Sequence, residues 1–107
     1  MTHRLKSKLR KERSSGNVFR DVGYPPEQAQ NLLLRSHLMT RVERFVKSSG
    51  ITQRECAAQL GLTQPRLNDL LRGRIEKFSL DALVNVVSRA GMRVEMKIIK
   101  APTKKAA

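Results

Sequence analysis

Between residues 26 and 90, apolar side chains recur every three or four positions, a spacing that predicts amphipathic helices. The first predicted helix is long. It begins at Pro25-Pro26 and runs to about Ser49, with Gly50 as its stop. Its apolar positions form two stripes, which indicate burial on more than one side. One stripe is Leu32, Met39, Val42 and Val46, and the other is Leu34, Leu38 and Phe45. A last helix is predicted from the cap at Ser79 to Gly91.

Residues 52–72 predict two short helices joined by a tight turn. Thr52 and Glu55 have the Thr-x-x-Glu spacing of a capping box, Gly61 tolerates a left-handed backbone, and Thr63 caps the second helix. The predicted inward face consists of Cys56, Ala57, Leu60, Leu67, Leu70 and Leu71. This arrangement is typical of a helix-turn-helix, which places its second helix in the DNA major groove. An ordinary helical hairpin in a bundle has similar caps and spacing.

The outward side of the second short helix favours DNA over the hairpin alternative. It carries Gln64, Arg66, Asn68, Asp69 and Arg72. Glutamine and asparagine can bond adenine edges with two hydrogen bonds, and arginine can bond guanine or phosphate. A solvated bundle face would more often carry pairs of Glu and Lys.

Two segments have the composition of strands. Residues 17–24 contain the β-formers Val18, Phe19 and Val22 before Gly23, and predict a short N-terminal strand. Near the other end, an apolar set alternates with a charged set, as in a half-buried strand. The apolar set is Val94, Met96 and Ile98, and the charged set is Arg93, Glu95 and Lys97. Because a lone strand does not persist in water, it needs residues 18–22 or the same strand of a second chain. We favour pairing between chains, which makes the apolar set the predicted dimerisation surface. Pairing only with residues 18–22 would leave dimerisation to the long helix.

The net charge of the chain indicates the class of its binding partner. The chain has 107 residues, enough for one domain, with 22 Lys and Arg against 9 acids and a net charge of +13. We expect a disordered basic arm over residues 1–16, a domain over 17–100 and a disordered tail over 101–107. Nucleic acid is the expected polyanion, with a solvated basic tail or an anionic membrane surface as alternatives. The arm either tracks DNA or only aids solubility.

Several function classes are not expected. No apolar run approaches the roughly 18 residues of a membrane span, and the basic N-terminus lacks the apolar core of a secretory signal. The lone Cys56 is expected to be buried and reduced, which favours the cytoplasm. His3 and His37 have no neighbouring ligand set, so we expect no metal. No phosphate loop or nucleophile motif is present, so we expect neither an enzyme nor a cofactor.

Together these segments resemble the Cro/C1-type, or XRE, helix-turn-helix family, and more narrowly its HigA-like antitoxin branch. The broad resemblance rests on Thr52-Gln53, Ala57, Gly61-Leu62, Gln64 and Leu67. The narrow one rests on residues 17–23 (NVFRDVG), 62–67 (LTQPRL), 70–73 (LLRG), 78–81 (FSLD) and 91–95 (GMRVE). The resemblance implies a mainly α fold, a lambda-repressor-like bundle of four to five helices with short N- and C-terminal β-strands.

The outward residues and the resemblance together predict the site. Predicted base contacts are Thr63, Gln64, Pro65, Asn68 and Asp69. Predicted DNA-backbone contacts are Thr52, Gln53, Arg54, Arg66, Arg72, Arg74 and Lys77. Two positions depart from the family pattern. Pro65 has no N–H to donate, so it can only touch a thymine methyl. Phosphate repels Asp69, so its carboxylate must accept from cytosine or orient Arg66 or Arg72.

The predicted function is a homodimeric transcriptional repressor on a palindromic operator, in the bacterial cytoplasm. The resemblance implies the antitoxin of a type II toxin–antitoxin operon, which represses its own promoter and sequesters a RelE/HigB-like toxin. The alternative is a stand-alone phage-type Cro/C1-like regulator. Two further alternatives are a toxin-neutralising module that barely reads DNA and a non-specific architectural protein. The outward face of residues 64–69 argues against both of these.

Overall fold

The computed structural model describes residues 16–101, and the helices in that range number five. The arm predicted over residues 1–16 and the tail predicted over 101–107 lie, apart from Gly16 and Ala101, outside the described residues. The helices are α1 Val18–Asp21, α2 Pro26–Ser48, α3 Gln53–Leu60, α4 Gln64–Leu71 and α5 Leu80–Arg89, with a 3-10 turn at Ile75–Lys77. The prediction of a mainly α bundle with four to five helices is confirmed.

The N-terminal strand prediction is wrong, because residues 18–21 form α1. The Asn17 side chain accepts hydrogen bonds from the backbone N–H groups of Phe19 at 2.9 Å and Arg20 at 3.4 Å. This cap satisfies N–H groups that a helix start otherwise leaves without partners. The Tyr24 N–H then donates to the Phe19 carbonyl at 3.0 Å, which closes the segment on itself. Local capping therefore outweighs the β propensity of the valines.

Helix α2 is the scaffold against which the other helices pack. Pro26 lies in its first turn, and the observed end at Ser48 agrees with the predicted stop at Gly50. The first apolar stripe is largely buried, with Leu32, Met39 and Val42 in the core. The second stripe is only partly covered, since Leu38 and Phe45 are half-buried and Leu34 is 40% exposed. One side of α2 is therefore left incompletely covered in the single chain.

The core lies between α2 and the three helices that follow it. We call residues 72–79, between α4 and α5, the connector. The buried core members on those helices and on the connector are Cys56, Ala57, Leu60, Leu67, Leu70, Phe78, Leu83, Val86 and Val87. The predicted inward face of residues 56–71 is confirmed, with Leu71 half-buried at its edge. Ser79 caps α5 by accepting from the Ala82 N–H at 3.3 Å. A hydrogen bond from the Ser79 side chain lowers the pKa of Asp81, and backbone N–H groups add to this effect.

After α5 and Gly91, residues 92–101 have no regular secondary structure. No strand forms anywhere in residues 16–101, so the predicted C-terminal strand is not confirmed in the single chain. Pairing with residues 18–22 of the same chain is wrong, because α1 occupies that segment. Val94, Met96 and Ile98 are 38%, 75% and 86% exposed. Within the described range, no helix is both long enough and apolar enough to cross a membrane.

Candidate nucleic-acid interface

Helices α3 and α4 have the predicted caps, one at the start of α3 and one on each side of the turn between the two helices. The Thr52 hydroxyl accepts from the Glu55 N–H at 3.1 Å, and the Glu55 carboxylate accepts from the Thr52 N–H at 3.0 Å. Gly61 ends α3 at φ 74°, and the Leu62 N–H bonds back to the Ala57 carbonyl at 2.9 Å. Thr63 then caps α4 by accepting from the Arg66 N–H at 3.2 Å. These bonds fix the angle at which α4 leaves α3.

Gly61 has a second constraint besides its backbone. A Cβ at this position would lie 2.7 Å from Nε of Arg89, which donates to the Gln59 carbonyl at 3.1 Å. We expect Gly61→Ala to lower the free energy of unfolding by about 1–2 kcal/mol for the left-handed backbone. Displacing Arg89 should add about 0.5–1.5 kcal/mol for the lost hydrogen bond. Urea denaturation measures the total.

Gly73→Ala is the matched control for Gly61→Ala. Gly73 has nearly the same φ, 75°, and no heavy atom lies within 4 Å of a Cβ built there. Gly73→Ala should therefore lower the free energy of unfolding only by the cost of the left-handed backbone. Equal losses for the two variants would mean that Arg89 moves aside at no cost, contrary to our expectation.

The exposed side of α4 presents most of the predicted base contacts. Gln64, Pro65 and Asn68 are exposed, and Thr63 is exposed at the N-terminus of the helix. Gln64 and Asn68 are four residues apart and so lie on one face of the helix. Leu67 and Leu70, on the opposite side, are 0% and 2% exposed and anchor α4 to the core. The helix can therefore present amide groups to a groove without losing its packing. Base contact by these side chains stays a prediction.

Asp69 is half-buried and has a specific basic neighbour. Its carboxylate lies 3.7 Å from Nε of Arg74, and its carbonyl accepts from the Arg74 N–H at 3.0 Å. The residue that it orients is thus Arg74, whereas the sequence suggested Arg66 or Arg72. Contact of Asp69 with cytosine stays a prediction.

Arg66 joins α4 to the connector that follows it. Its guanidinium lies 4.3 Å from the centre of the Phe78 ring and donates to the Lys77 carbonyl at 2.9 Å. Such a cation–π contact is typically worth about 0.5–1 kcal/mol at an exposed site. Arg66 therefore holds the connector against α4, in addition to its predicted phosphate contact. A guanidinium carries five N–H donors, so Arg66 keeps donors with which it could bind a phosphate. The phosphate contact itself stays a prediction.

Arg35 of α2 holds the same connector, a role that no sequence pattern indicated. Its guanidinium donates to the carbonyls of Ile75 at 3.2 Å and Phe78 at 3.1 Å, and its Nε donates to the Asn31 amide oxygen at 2.7 Å. The spacing of Asn31 and Arg35 on one helix face was visible in the sequence. The connector partners are about forty residues away along the chain, beyond the reach of local patterns.

The charges around α4 favour a polyanion. The cationic residues Arg54, Arg72, Arg74 and Lys77 are exposed, as are the polar Thr52 and Gln53. Two nearby acids are already engaged, since Glu55 caps α3 and Asp69 pairs with Arg74. The charge of Asp69 is therefore offset by Arg74, whereas Glu55 and the exposed Glu76 keep their negative charges beside these cations. The arrangement offers a neutral, hydrogen-bonding helix face bordered by cations.

Comparison with known proteins gives a family match and a structural match. A family model for a helix-turn-helix domain matches residues 18–99, from α1 through the C-terminal segment. A solved structure described as an XRE family transcriptional regulator has a TM-score of 0.65 and 26% identity, over 75% of this chain and 90% of that one. No curated protein matches the sequence.

Proposed function

The chain belongs to the helix-turn-helix domain family and is an XRE-type DNA-binding transcriptional regulator, and from this premise we propose that it is a sequence-specific repressor. The observation that carries the proposal is the α4 face, where Thr63, Gln64 and Asn68 are exposed above the buried Leu67. Amide and hydroxyl groups on a firmly packed helix suit recognition of base edges. Repression follows from occupying the promoter, with no chemical step.

We propose a homodimer that binds a palindromic operator. Two-fold symmetry places two copies of α4 in successive major grooves, about 34–36 Å apart. The exposed apolar side chains of Val94, Met96 and Ile98 support an interface at the C-terminal segment. A dimer doubles the number of base and phosphate contacts, which gives the operator its advantage over isolated half-sites.

We propose that the protein works in the bacterial cytoplasm as the antitoxin of a type II toxin–antitoxin operon. Its proposed partner is a RelE/HigB-like toxin. The support is the resemblance of residues 17–23 and 91–95 to the HigA-like branch. The test is co-expression with the product of the adjoining reading frame. Relief of growth inhibition and co-purification of the two chains are expected. An adjoining gene without toxicity or binding would instead favour the stand-alone phage-type regulator.

Gln64 and Arg72 should respond differently to substitution. Gln64→Ala should cost about 1–3 kcal/mol on the operator and much less on random DNA, because it removes a base contact. Arg72→Ala should weaken binding to both DNAs by similar factors, as the loss of a phosphate contact does. Competition binding with labelled operator and unlabelled random DNA measures both ratios.

Gln30→Ala is the control for the glutamine substitution, because Gln30 is exposed on α2 outside the motif. It should leave both affinities unchanged. If Gln64→Ala and Arg72→Ala reduce binding to operator and random DNA by the same factors, the assignment of base reading to Gln64 is wrong.

A further inference from the structure

An apolar groove lies open between α2, α5 and the C-terminal segment. Its volume is about 260 Å³, and its apolar lining is Leu34, Leu38, Leu80, Val84, Val94 and Met96. Next to it along the chain, Ile98 and Ile99 are 86% and 71% exposed. A contiguous apolar surface of this kind marks an interaction site more often than ordinary protein surface.

The backbone beside this groove is available for pairing. No other segment of residues 16–101 pairs with residues 93–99 as a neighbouring strand. The alternation of apolar and charged side chains fits a strand with one face on the groove and one in water. Because residues 18–21 form α1, a strand that pairs with residues 93–99 would come from another molecule.

The charges of the segment identify that molecule and its alignment. When two copies pair antiparallel about a two-fold axis, each residue faces a fixed counterpart. With Met96 on the axis, Val94 faces Ile98 of the partner subunit, and Glu95 faces Lys97 of the partner subunit. Val94, Met96 and Ile98 then share the groove face, and both central charged pairs are of opposite sign. Ile99 lies on the other face, opposite Arg93 of the partner subunit.

With Val94 on the axis, Arg93 faces Glu95 of the partner subunit, but pairing is limited to residues 92–96 because the helix cap at Ala90 and the left-handed Gly91 come just before them. The two alignments next to the proposed one are worse in charge. With Glu95 on the axis, Glu95 faces its own copy, and Arg93 faces Lys97 of the partner subunit. With Lys97 on the axis, two lysines face each other. Like charges directly opposite destabilise a sheet, whereas opposite charges stabilise it. Alignments with the axis between two residues set apolar against charged side chains and divide the apolar face.

We propose that a second copy of this chain covers the groove through antiparallel pairing of residues 93–99, with Met96 on the two-fold axis and Glu95 and Lys97 fixing the alignment. This inference rests on the proposed homodimer and adds the groove that the partner covers and the register of the paired strands. In the single chain, Glu95 pairs with Arg93 at 2.5 Å, and both are well exposed. Dimerisation gives Glu95 a second cationic neighbour across the sheet.

A disulfide tests the alignment. In Met96→Cys the two thiols lie on adjacent strands with Cα atoms about 4.5–5.5 Å apart, within the range of a disulfide. The native Cys56 is 0% exposed and does not compete. Mild oxidation of the full-length variant should give a covalent dimer on a non-reducing gel. Met96 is 75% exposed, so the substitution leaves the fold intact.

Val94→Cys and Ile98→Cys are the matched controls. In the proposed alignment each residue is four positions away from its own copy, about 13–14 Å, and neither variant alone should cross-link. Co-expressed with distinct tags, the two variants should cross-link only to each other. Self-cross-linking of Val94→Cys or Ile98→Cys together with no Met96→Cys dimer would overturn the alignment.

Charge substitutions give a second readout without oxidation. Glu95→Lys and Lys97→Glu should each weaken the homodimer about tenfold in dissociation constant, because two opposed pairs become like-charged. Mixing the two variants should restore a heterodimer of wild-type affinity. Unchanged dimerisation in both single variants would overturn the role of these residues.

A measurement on the wild-type protein distinguishes failure of the proposed alignment from failure of the proposed function. Light scattering of the operator complex reports whether two chains bind. Two chains with no cross-link at residue 96 would overturn the alignment and leave the homodimeric repressor standing. A single chain on the operator would overturn both.

Discussion

Operator affinity is expected to fall about 10³–10⁵-fold between 50 and 200 mM salt, given roughly six to ten phosphate contacts per dimer. Each neutralised phosphate releases condensed counterions, and added salt opposes that release. The exposed Arg54, Arg72, Arg74 and Lys77 provide four cations per chain around α4, which agrees with this number. Fluorescence anisotropy with labelled operator across a salt series measures the slope.

The contribution of one cation can be isolated within that series. Lys77→Gln should reduce the logarithmic slope by about two per dimer, since each phosphate contact contributes about one. The ratio between operator and random DNA should stay the same. A flat salt dependence of the wild-type protein would contradict DNA binding through these cations.

Phe78→Ala is expected to lower the free energy of unfolding by about 3–5 kcal/mol, as deletion of a buried aromatic ring does. Phe78 is 1% exposed and lies among the core residues of α4 and α5. The ring also lies beneath the Arg66 guanidinium, so its loss removes one of the contacts that hold the connector. Urea denaturation followed by circular dichroism measures the change.

Phe78→Leu separates packing from the contact with Arg66. Leucine keeps most of the apolar volume but has no aromatic face, so the loss should be about 1–2 kcal/mol. At temperatures where both variants are folded, weaker operator binding by Phe78→Leu would show that the ring positions the connector. A loss below about 1 kcal/mol for Phe78→Ala would contradict its place in the core.

The motif was predictable because its determinants are local. The Thr52–Glu55 box, Gly61 and Thr63 each act within five residues, and the structure shows the expected bonds at all three. The burial of Leu67 and Leu70 followed from helical periodicity in the same way. The XRE-type part of the family resemblance is confirmed by the matches, whereas the HigA-like branch stays a proposal.

The errors have two physical origins. In residues 17–24, β propensity and a helix cap compete over a few residues, and the hydrogen bonds of Asn17 decide the outcome. The roles of Arg35 and of Asp69 depend on where the connector lies in space, which no short-range pattern records. The C-terminal strand is not one of these errors and stays a prediction, because a strand that forms only between two chains cannot appear in a single chain.

The connector is held by its main chain. Arg35 and Arg66 donate to the carbonyls of Ile75, Lys77 and Phe78, and carbonyls are the same whatever side chain a residue carries. The exposed side chains of Glu76 and Lys77 can therefore change by mutation while the path of the connector is preserved. If Lys77 contacts the DNA backbone as proposed, substitutions at these two positions should raise or lower the general affinity for DNA and leave α4 in place.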